Sequence, residues 1–477
     1  MSEAWQRLLQ RPRGARGAVH IHLVGIGGAG LSAIATVLHE EGYTVSGCDR
    51  APSAVTAGLA QRGIVVHQGH AAAHLAGVSL VLASSAVPPD APELAAARAN
   101  GIPVLRRGEL LAELMRGRVR VAVAGTHGKT TTTGMIAWVL TQAGRDPTFI
   151  VGGHLPDLGT NARAGRGLAF VIEADEYDRM FLGLTPTVAV ITAVEWDHPD
   201  CYPTPEAFLA AFASFIARVP AEGWIIGCMD DPGVQRLRLG CAAQGQWEGY
   251  GLETKAEWQA MDVRPNAQGG SDFTVLRSGQ RRAQVSLALP GKHNVRDALA
   301  ALAAVAHLGV EVEEAAHILR SFHGATRRFE VKGEVDGIMV IDDYGHHPTE
   351  IQATLAAARQ RFPGRAIWAV FQPHTFSRTR ALLDEFAAAF ADADHVIITD
   401  IYAARERDDL GMHASHIVGH MSHPDARYIG NLDEVVVYLL RSLRPGDVLI
   451  TLGAGDGYLV GEQVLAELRE RAQTSRR

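Results

Sequence analysis

Residues 119–132 read Val-Arg-Val-Ala-Val-Ala-Gly-Thr-His-Gly-Lys-Thr-Thr-Thr. A short β-branched run that stops at a glycine and passes directly into a helix-forming stretch has few ways to fold. It predicts a strand, a tight turn and a helix within a buried parallel sheet of the α/β class. The turn offers backbone N–H groups and an ammonium to phosphate oxygens, and Thr130 offers a hydroxyl to Mg2+. An ordinary phosphate loop carries a further glycine five residues before its Gly-Lys pair, and that position is Val123 here, so the loop is a variant. Gly125, Thr126, His127, Gly128, Lys129, Thr130 and Thr131 are therefore expected to hold a nucleoside triphosphate.

The same pattern occurs three times. Residues 19–24 form an apolar run ending in glycines and followed by a helical stretch at 31–41, and strands at 44–47 and 79–83 extend it to about residue 118. The second unit opens at 119, with a helix at 130–143 and strands at 169–173 and 187–192. The third opens at 337–341 and continues through 366–371, 395–399 and 448–452. Residues 258–289 are polar and alternating, which predicts antiparallel strands appended to the middle unit. At 477 residues, against a prior of roughly 100 to 200 per domain, the expected division is 1–118, 119–326 and 327–477.

Charge and cysteine usage narrow the function classes. The formal net charge of -7 argues against bulk binding to nucleic acid or an anionic membrane. Four cysteines without CxxC spacing predict neither a disulfide framework nor a metal cage. No stretch approaches the roughly 18 apolar residues of a membrane span. A cytoplasmic protein is expected.

Gly25-Ile26-Gly27-Gly28-Ala29-Gly30 occupies the strand-to-helix turn of the first unit. Gly25, Gly27, Gly28 and Gly30 can cradle a pyrophosphate at a helix N-terminus, with Asp49 placed to bind a ribose. Alone, that pair would suggest a dinucleotide. Glu173-Ala174-Asp175-Glu176 and Glu195-Trp196-Asp197-His198 each follow a buried strand of the second unit and should emerge beside the phosphate loop. Glu173 and His198, with Thr130, are the expected Mg2+ ligands. In the third unit, residues 342–348 and 372–380 also follow strands. Tyr344 and His346 read as functional, His347 equally as a buried hydrogen-bonded ring, and Arg378 and Arg380 as forks for a carboxylate.

Taken in order, these motifs resemble the Mur ligases over nearly the whole chain. They are the first glycine loop, the loop at 125–133, Glu173 with Asp175, Asp197-His198, Gly291-Lys292-His293-Asn294, Arg327-Arg328-Phe329, residues 342–348 and the His374 segment. The resemblance implies a three-domain Mur ligase architecture. A Rossmann-like N-terminal domain binds a UDP-sugar, a central phosphate-loop ATPase domain binds ATP, and a Rossmann-like C-terminal domain carries the amino-acid site. It assigns the first loop to uridine diphosphate, with Ser84, Ser85 and Arg106 (and neighbouring Arg107) completing the site. Asn294 resembles an adenine contact, Arg328 a phosphate contact and Asp343 a ribose contact, while Tyr344, His346, Arg378 and Arg380 resemble the residues around the amino acid.

Residues 371–379 look like the branch that joins L-alanine to the carboxylate of UDP-N-acetylmuramate, using ATP and Mg2+ and passing through an acyl phosphate. Lys129 and Arg328 would stabilise the γ-phosphoryl group, and His198 or His346 would serve as base. A monomer or weak homodimer is expected. Two departures stand out: Asp297 replaces a common second asparagine, and no lysine lies between Lys129 and Lys255. The carbamylated lysine of several later Mur ligases therefore has no counterpart.

Overall fold

The computed structural model describes residues 4–84, 86–404, 406–408 and 411–474. Three sheets follow one another along the chain. The first is wholly parallel, with spatial order Val65–Gln68, Thr44–Asp49, His20–Val24, Leu80–Ala83, Val104–Leu105. Its central strand therefore delivers the glycine turn between the ends of two neighbours, at the crevice where such sheets gather ligands.

The second sheet has ten strands. Val119–Ala124 lies at its heart between Val188–Ile191 and Ala169–Glu173, all parallel, so the phosphate loop and both acidic clusters emerge side by side. The antiparallel strands predicted for 258–289 are Trp258–Pro265, Ser271–Arg277 and Gln280–Leu287. They extend the middle unit as one edge of its sheet, because Tyr250 and Gly251 pair in parallel with Trp258 and Gln259.

In the third sheet Val448–Leu452 lies between Ile338–Asp343 and Ile367–Phe371, again in parallel, which brings together the turns after residues 343, 371 and 452. This sheet begins at the antiparallel strand Glu330–Val335, ahead of the run at 337. Its half-exposed, charged sequence gives no apolar signal. The edge strands Val65–Gln68 and Val104–Leu105 escape sequence reading because they are only four and two residues long.

Helix packing sets the nucleotide pocket. Lys129–Gln142, which continues from the phosphate loop, packs on Lys292–Ala306. Ala298, Ala300, Ala301, Ala303 and Ala304 are fully buried in that contact region, and small side chains let helix axes approach closely. The two helix N-termini consequently face the same space. Among the described residues no helix is long and apolar enough to cross a membrane.

The first two units meet at Glu41, a buried carboxylate that receives Arg13 at 3.0 Å, Arg118 at 2.6 Å and Arg16. Arg118 also donates to the Thr148 hydroxyl and Arg13 to Gly165 O at 3.1 Å, so the cluster stitches the two sheets together. Burial opposes the Glu41 charge, but hydrogen bonds from Arg13 and Arg118 outweigh it and bring the carboxyl to about 2. Because the folded value lies below the unfolded value of 4.5, this stability is present above pH 4.5 and is lost as pH falls toward 2. Glu41→Ala is expected to cost about 3 kcal/mol, the low end for breaking a buried ion pair. Urea unfolding at pH 7 checks this, and the difference from wild type should shrink in acid.

Candidate active site

Two cavities meet around the phosphate loop. The first is lined by Gly128, Thr131, Asn294, Asp297, Asp343 and Glu350 among others, the second by Lys129, Glu173, His198, Tyr344, His346 and Arg378 among others. Thr130, Arg328 and Glu350 line both. A nucleotide in the first cavity would thus present its terminal phosphate to the second.

The loop needs its glycines. Gly128 has φ of 76° and Gly125 of 146°, and a Cβ would lie 2.5 Å from Asp297 Oδ1 or 2.0 Å from Thr192 Oγ1. Neither L-residue geometry nor space is on offer. Lys129 Nζ donates to Gly125 O at 2.5 Å and to Glu176 Oε1 at 2.8 Å. Burial works against its charge, but Glu176, Glu173 and Asp175 hold its pKa above the ordinary value. The Thr130 hydroxyl donates to Glu173 Oε1 at 3.1 Å, and Gly152 N–H to Glu173 Oε2 at 2.6 Å. Burial raises the Glu173 pKa.

In the first unit Gly27 N–H donates to Asp49 Oδ2 at 2.8 Å, so Asp49 braces the glycine loop directly. Ser84 borders Gly25, while Ser85 lies outside the described residues. Arg106 is exposed, its backbone N–H bonded to Glu109. The arginine at the loop is Arg107, packed on Gly30 and paired with Asp175 at 2.9 Å, which joins the first loop to the second cavity. The adjacent pair reads alike in sequence; only the helix start at Arg107 decides which side chain turns inward.

Asn294 lines the first cavity with its amide nitrogen engaged by Pro290 O and the His293 ring, which leaves its carbonyl oxygen as an acceptor. Asp297 is buried against Gly128, and burial lifts its carboxyl to about 7. Asp343 accepts Phe329 and Gly345 N–H groups at 2.7 Å each, so it shapes the cavity wall as well as facing it.

Three polar contacts among the described residues help close the third unit on the second. Arg378 forms a bidentate pair with Asp197, at 2.7 and 3.2 Å, and also reaches His374 and His198. Burial opposes the Asp197 charge, but Arg378 holds it well below the usual carboxylate range. The Arg378 donors are thus largely committed within the wall. Arg380 is exposed and outside both cavity linings, contrary to the expectation that it faces the amino acid, because its position on the helix Phe376–Ala381 points outward.

The second contact is Thr349 Oγ1 to Glu195 at 2.8 Å, and the third is His127. Its ring lies 2.8 Å from Glu195 and 3.2 Å from Glu350. Burial lowers its pKa but Glu195 and Glu350 raise it further, to about 9. Sequence reading missed Glu350; it placed Glu176 and Glu195 in the acidic clusters beside the phosphate loop but gave neither a role of its own. Glu350 could have been flagged, since it follows His347-Pro348 as the capping-box acid of the helix Pro348–Arg361. His347 is the cap of that helix and is buried, the structural alternative considered for it.

The two base candidates separate electrically. Burial, then Arg378, lowers His346 to about 3, and its Nδ1 lies 3.0 Å from Tyr344 O. Asp197 and Glu176 overcome burial to raise the pKa of His198. His198, Arg327, Phe329 and Thr375 all have positive φ, at 55°, 60°, 49° and 68°. Such backbone costs of order 1–3 kcal/mol per residue and clusters at functional sites.

A phosphate loop opening onto an acid-lined chamber roofed by the third sheet is the build of an ATP-dependent ligase, and the chain belongs to the Mur ligase family. It matches the Mur ligase family catalytic domain at residues 20–119, the middle domain at 123–305 and the glutamate ligase domain at 327–455. Among its relatives, a UDP-N-acetylmuramate--L-alanine ligase from Roseiflexus sp. (strain RS-1) is 49% identical, covering 95% of this chain and 100% of that protein. One from Frankia casuarinae is 46% identical over 94% and 97%. The crystal structure of the UDP-N-acetylmuramate-alanine ligase from Thermotoga maritima superimposes with a TM-score of 0.78 at 29% identity, covering 96% and 99%. A murein peptide ligase from Psychrobacter arcticus gives 0.69 at 27%, covering 94% and 98%.

The His127 clamp makes a pH prediction. Its folded pKa of about 9 lies above the unfolded 6.5, so its stabilisation is complete below pH 6.5 and is lost as pH rises through 9. The melting temperature of wild type relative to His127→Gln should therefore decline across that window. A constant difference would show that the ring is not held protonated.

Proposed function

We propose that this protein joins L-alanine to the carboxylate of UDP-N-acetylmuramate, cleaving ATP to ADP and phosphate through an acyl phosphate, in peptidoglycan precursor synthesis. The observation that carries the reading is the continuity of the nucleotide cavity with the acid-lined chamber through Thr130, Arg328 and Glu350, beside Lys129. The names of the relatives supply the substrates. In this reading residues 1–118 bind the UDP-sugar through Gly25, Gly27, Gly28, Gly30, Asp49 and Ser84, with Arg107 taking the place first given to Arg106. Residues 119–326 bind ATP, and 327–477 present the amino acid beside Tyr344, His346 and Arg378. The cytoplasm is the proposed compartment, in keeping with four unpaired cysteines.

The muramoyl carboxylate attacks the γ-phosphorus in line, while Lys129, the loop amides and Arg328 stabilise the charge that develops on the phosphoryl oxygens. Thr130 and Glu173 offer hard oxygen donors 3.1 Å apart that suit Mg2+, and His198 could join them only as a neutral ring. When bound, the ion would neutralise phosphate charge. The amine of L-alanine then attacks the acyl phosphate, and phosphate leaves. Of the two histidines His346 is the neutral one; with Nδ1–H on Tyr344 O, its Nε2 carries the lone pair for the proton released as the amine attacks. Arg378 meets the alanine carboxylate by exchanging a bond now made to a histidine.

The test is phosphate release with ATP, Mg2+ and UDP-N-acetylmuramate, comparing L-alanine, L-alanyl-γ-D-glutamyl-diaminopimelate and no acceptor. We expect release that depends on L-alanine and a product heavier by one alanyl residue. Dependence on the tripeptide would reassign the acceptor. Lys129→Ala should lower turnover by about 100-fold or more with UDP-sugar affinity kept, and near-normal turnover in that variant would sink the reading.

A further inference from the structure

A second concentration of metal-binding side chains lies beneath the first glycine loop, far in kind from the oxygen-rich chamber. His22 sits on the strand His20–Val24, Cys48 on Thr44–Asp49 and His74 in the turn Ala72–Leu75. One donor atom from each lies within 4.8 Å of the others. His22 and Cys48 are fully buried, and His74 is half-buried at the sheet's rim, where its ring stacks on His67. The register explains the meeting. His22 pairs with Ser46 and Val24 with Cys48, so the side chains of 22, 46 and 48 share one face.

Each imidazole is held as a metal-bound imidazole is held, with one nitrogen tied to an outer partner. His22 Nδ1 lies 2.8 Å from Ser46 Oγ, while its buried Nε2 has no hydrogen-bond partner among the described residues. His74 Nδ1 lies 3.0 Å from Glu93 Oε1, which leaves Nε2 available. Glu93 is a fully buried carboxylate, further fixed by Ala71 N–H at 2.7 Å. An unpaired ring nitrogen in a buried site is costly and asks for a ligand.

We propose that His22, Cys48 and His74 bind one Zn2+-class divalent cation, with Ser46 and Glu93 orienting the two rings from outside. One thiolate and two imidazoles form a borderline-soft set that selects zinc over magnesium, with a fourth position left for water. On binding, the Cys48 S–H bond breaks as the S–metal bond forms and the proton passes to solvent. Cys48, His70 and Glu93 form a second possible trio. It is the poorer one, because Glu93 is committed to Ala71 and His74 and the thiol itself donates to Glu93 at 3.3 Å. The site has a structural consequence. The Cys48 carbonyl accepts Gly25 and Ile26 N–H at 2.8 and 3.1 Å, so the cation would tie the strand end that carries the glycine loop to the turn roofing this face.

The test uses the full chain, stripped with chelator and titrated with Co2+ and then Zn2+. One equivalent of Co2+ should produce a near-ultraviolet thiolate-to-cobalt charge-transfer band that Zn2+ abolishes and excess Mg2+ does not. Cys48→Ser should remove the band. His22→Gln and His74→Gln should each weaken binding by about 10-fold or more, while His70→Gln leaves it intact. No band in wild type, a band that survives Cys48→Ser, or loss in His70→Gln with retention in His74→Gln would overturn the assignment. Zinc K-edge absorption of the wild-type protein needs no variant to fold: a shell of one sulfur and two imidazoles is expected, and an all-oxygen shell would refute the site.

Discussion

A single carboxylate with its side chain only 11% exposed, Glu350, organises the meeting of the second and third units. It stands within 3.2 Å of His127 from the phosphate loop and 3.7 Å of Arg328, and it accepts the backbone N–H groups of His346 and His347. Burial alone would neutralise it, but His346, His127 and Arg328 keep its pKa well below the ordinary range. An unpaired charge at this depth would be strongly destabilising, so loop, arginine and histidine segment must arrive together. Closure of the third unit is therefore coupled to the conformation of the phosphate loop, and the chamber exists only when both are in place.

The parts of this arrangement that were legible in sequence are those with a local signature. Buried parallel strands such as Ala169–Glu173 and Val448–Leu452 coincide with their apolar runs, because both faces of such strands are covered. The glycine loops were legible because Gly128 combines a φ of 76° with a position where a Cβ would lie 2.5 Å from Asp297 Oδ1, which leaves no room for a side chain. The partnerships of Glu350 and Glu195 were not, since they join distant parts of the chain, Thr349 standing 154 positions from Glu195: nothing in a charged helix turn announces that His127 faces it. Arg380 fails for the converse reason, as two arginines separated by one residue cannot both face inward from a helix. Cysteine spacing likewise argues only about local metal motifs, whereas His22, Cys48 and His74 meet through sheet register and a turn.

The electrostatics of the chamber are graded and not uniform. Lys129 is raised by Glu176, Glu173 and Asp175, while His346, only a short way across the same space, is kept neutral by burial and Arg378. Glu173 is pushed toward its neutral form by burial even though Lys129 and Arg328 oppose this. A carboxyl poised in this way gains most from an added positive charge, which is what a cation site requires. His198 moves in the opposite direction, favoured as a cation by Asp197 and Glu176. A cation bound beside it would have to displace a proton, which would couple its affinity at this wall to pH.

Arg328 shows why the third unit is needed for phosphate chemistry and not only for holding the acceptor. It lies at the entry to the third sheet between Arg327 and Phe329, both at positive φ, and lines both cavities. The Arg327 side chain is itself locked by Asp342 at 2.8 Å and by Gly453 O at 2.7 Å. The strained turn is thus maintained by contacts inside the third unit, and it aims Arg328 into the second. If the third unit swings away, Arg328 leaves with it and Lys129 alone faces the terminal phosphate. Full stabilisation of a transferring phosphoryl group is then available only in the closed form, where water is excluded and an acyl phosphate would survive long enough to meet an amine.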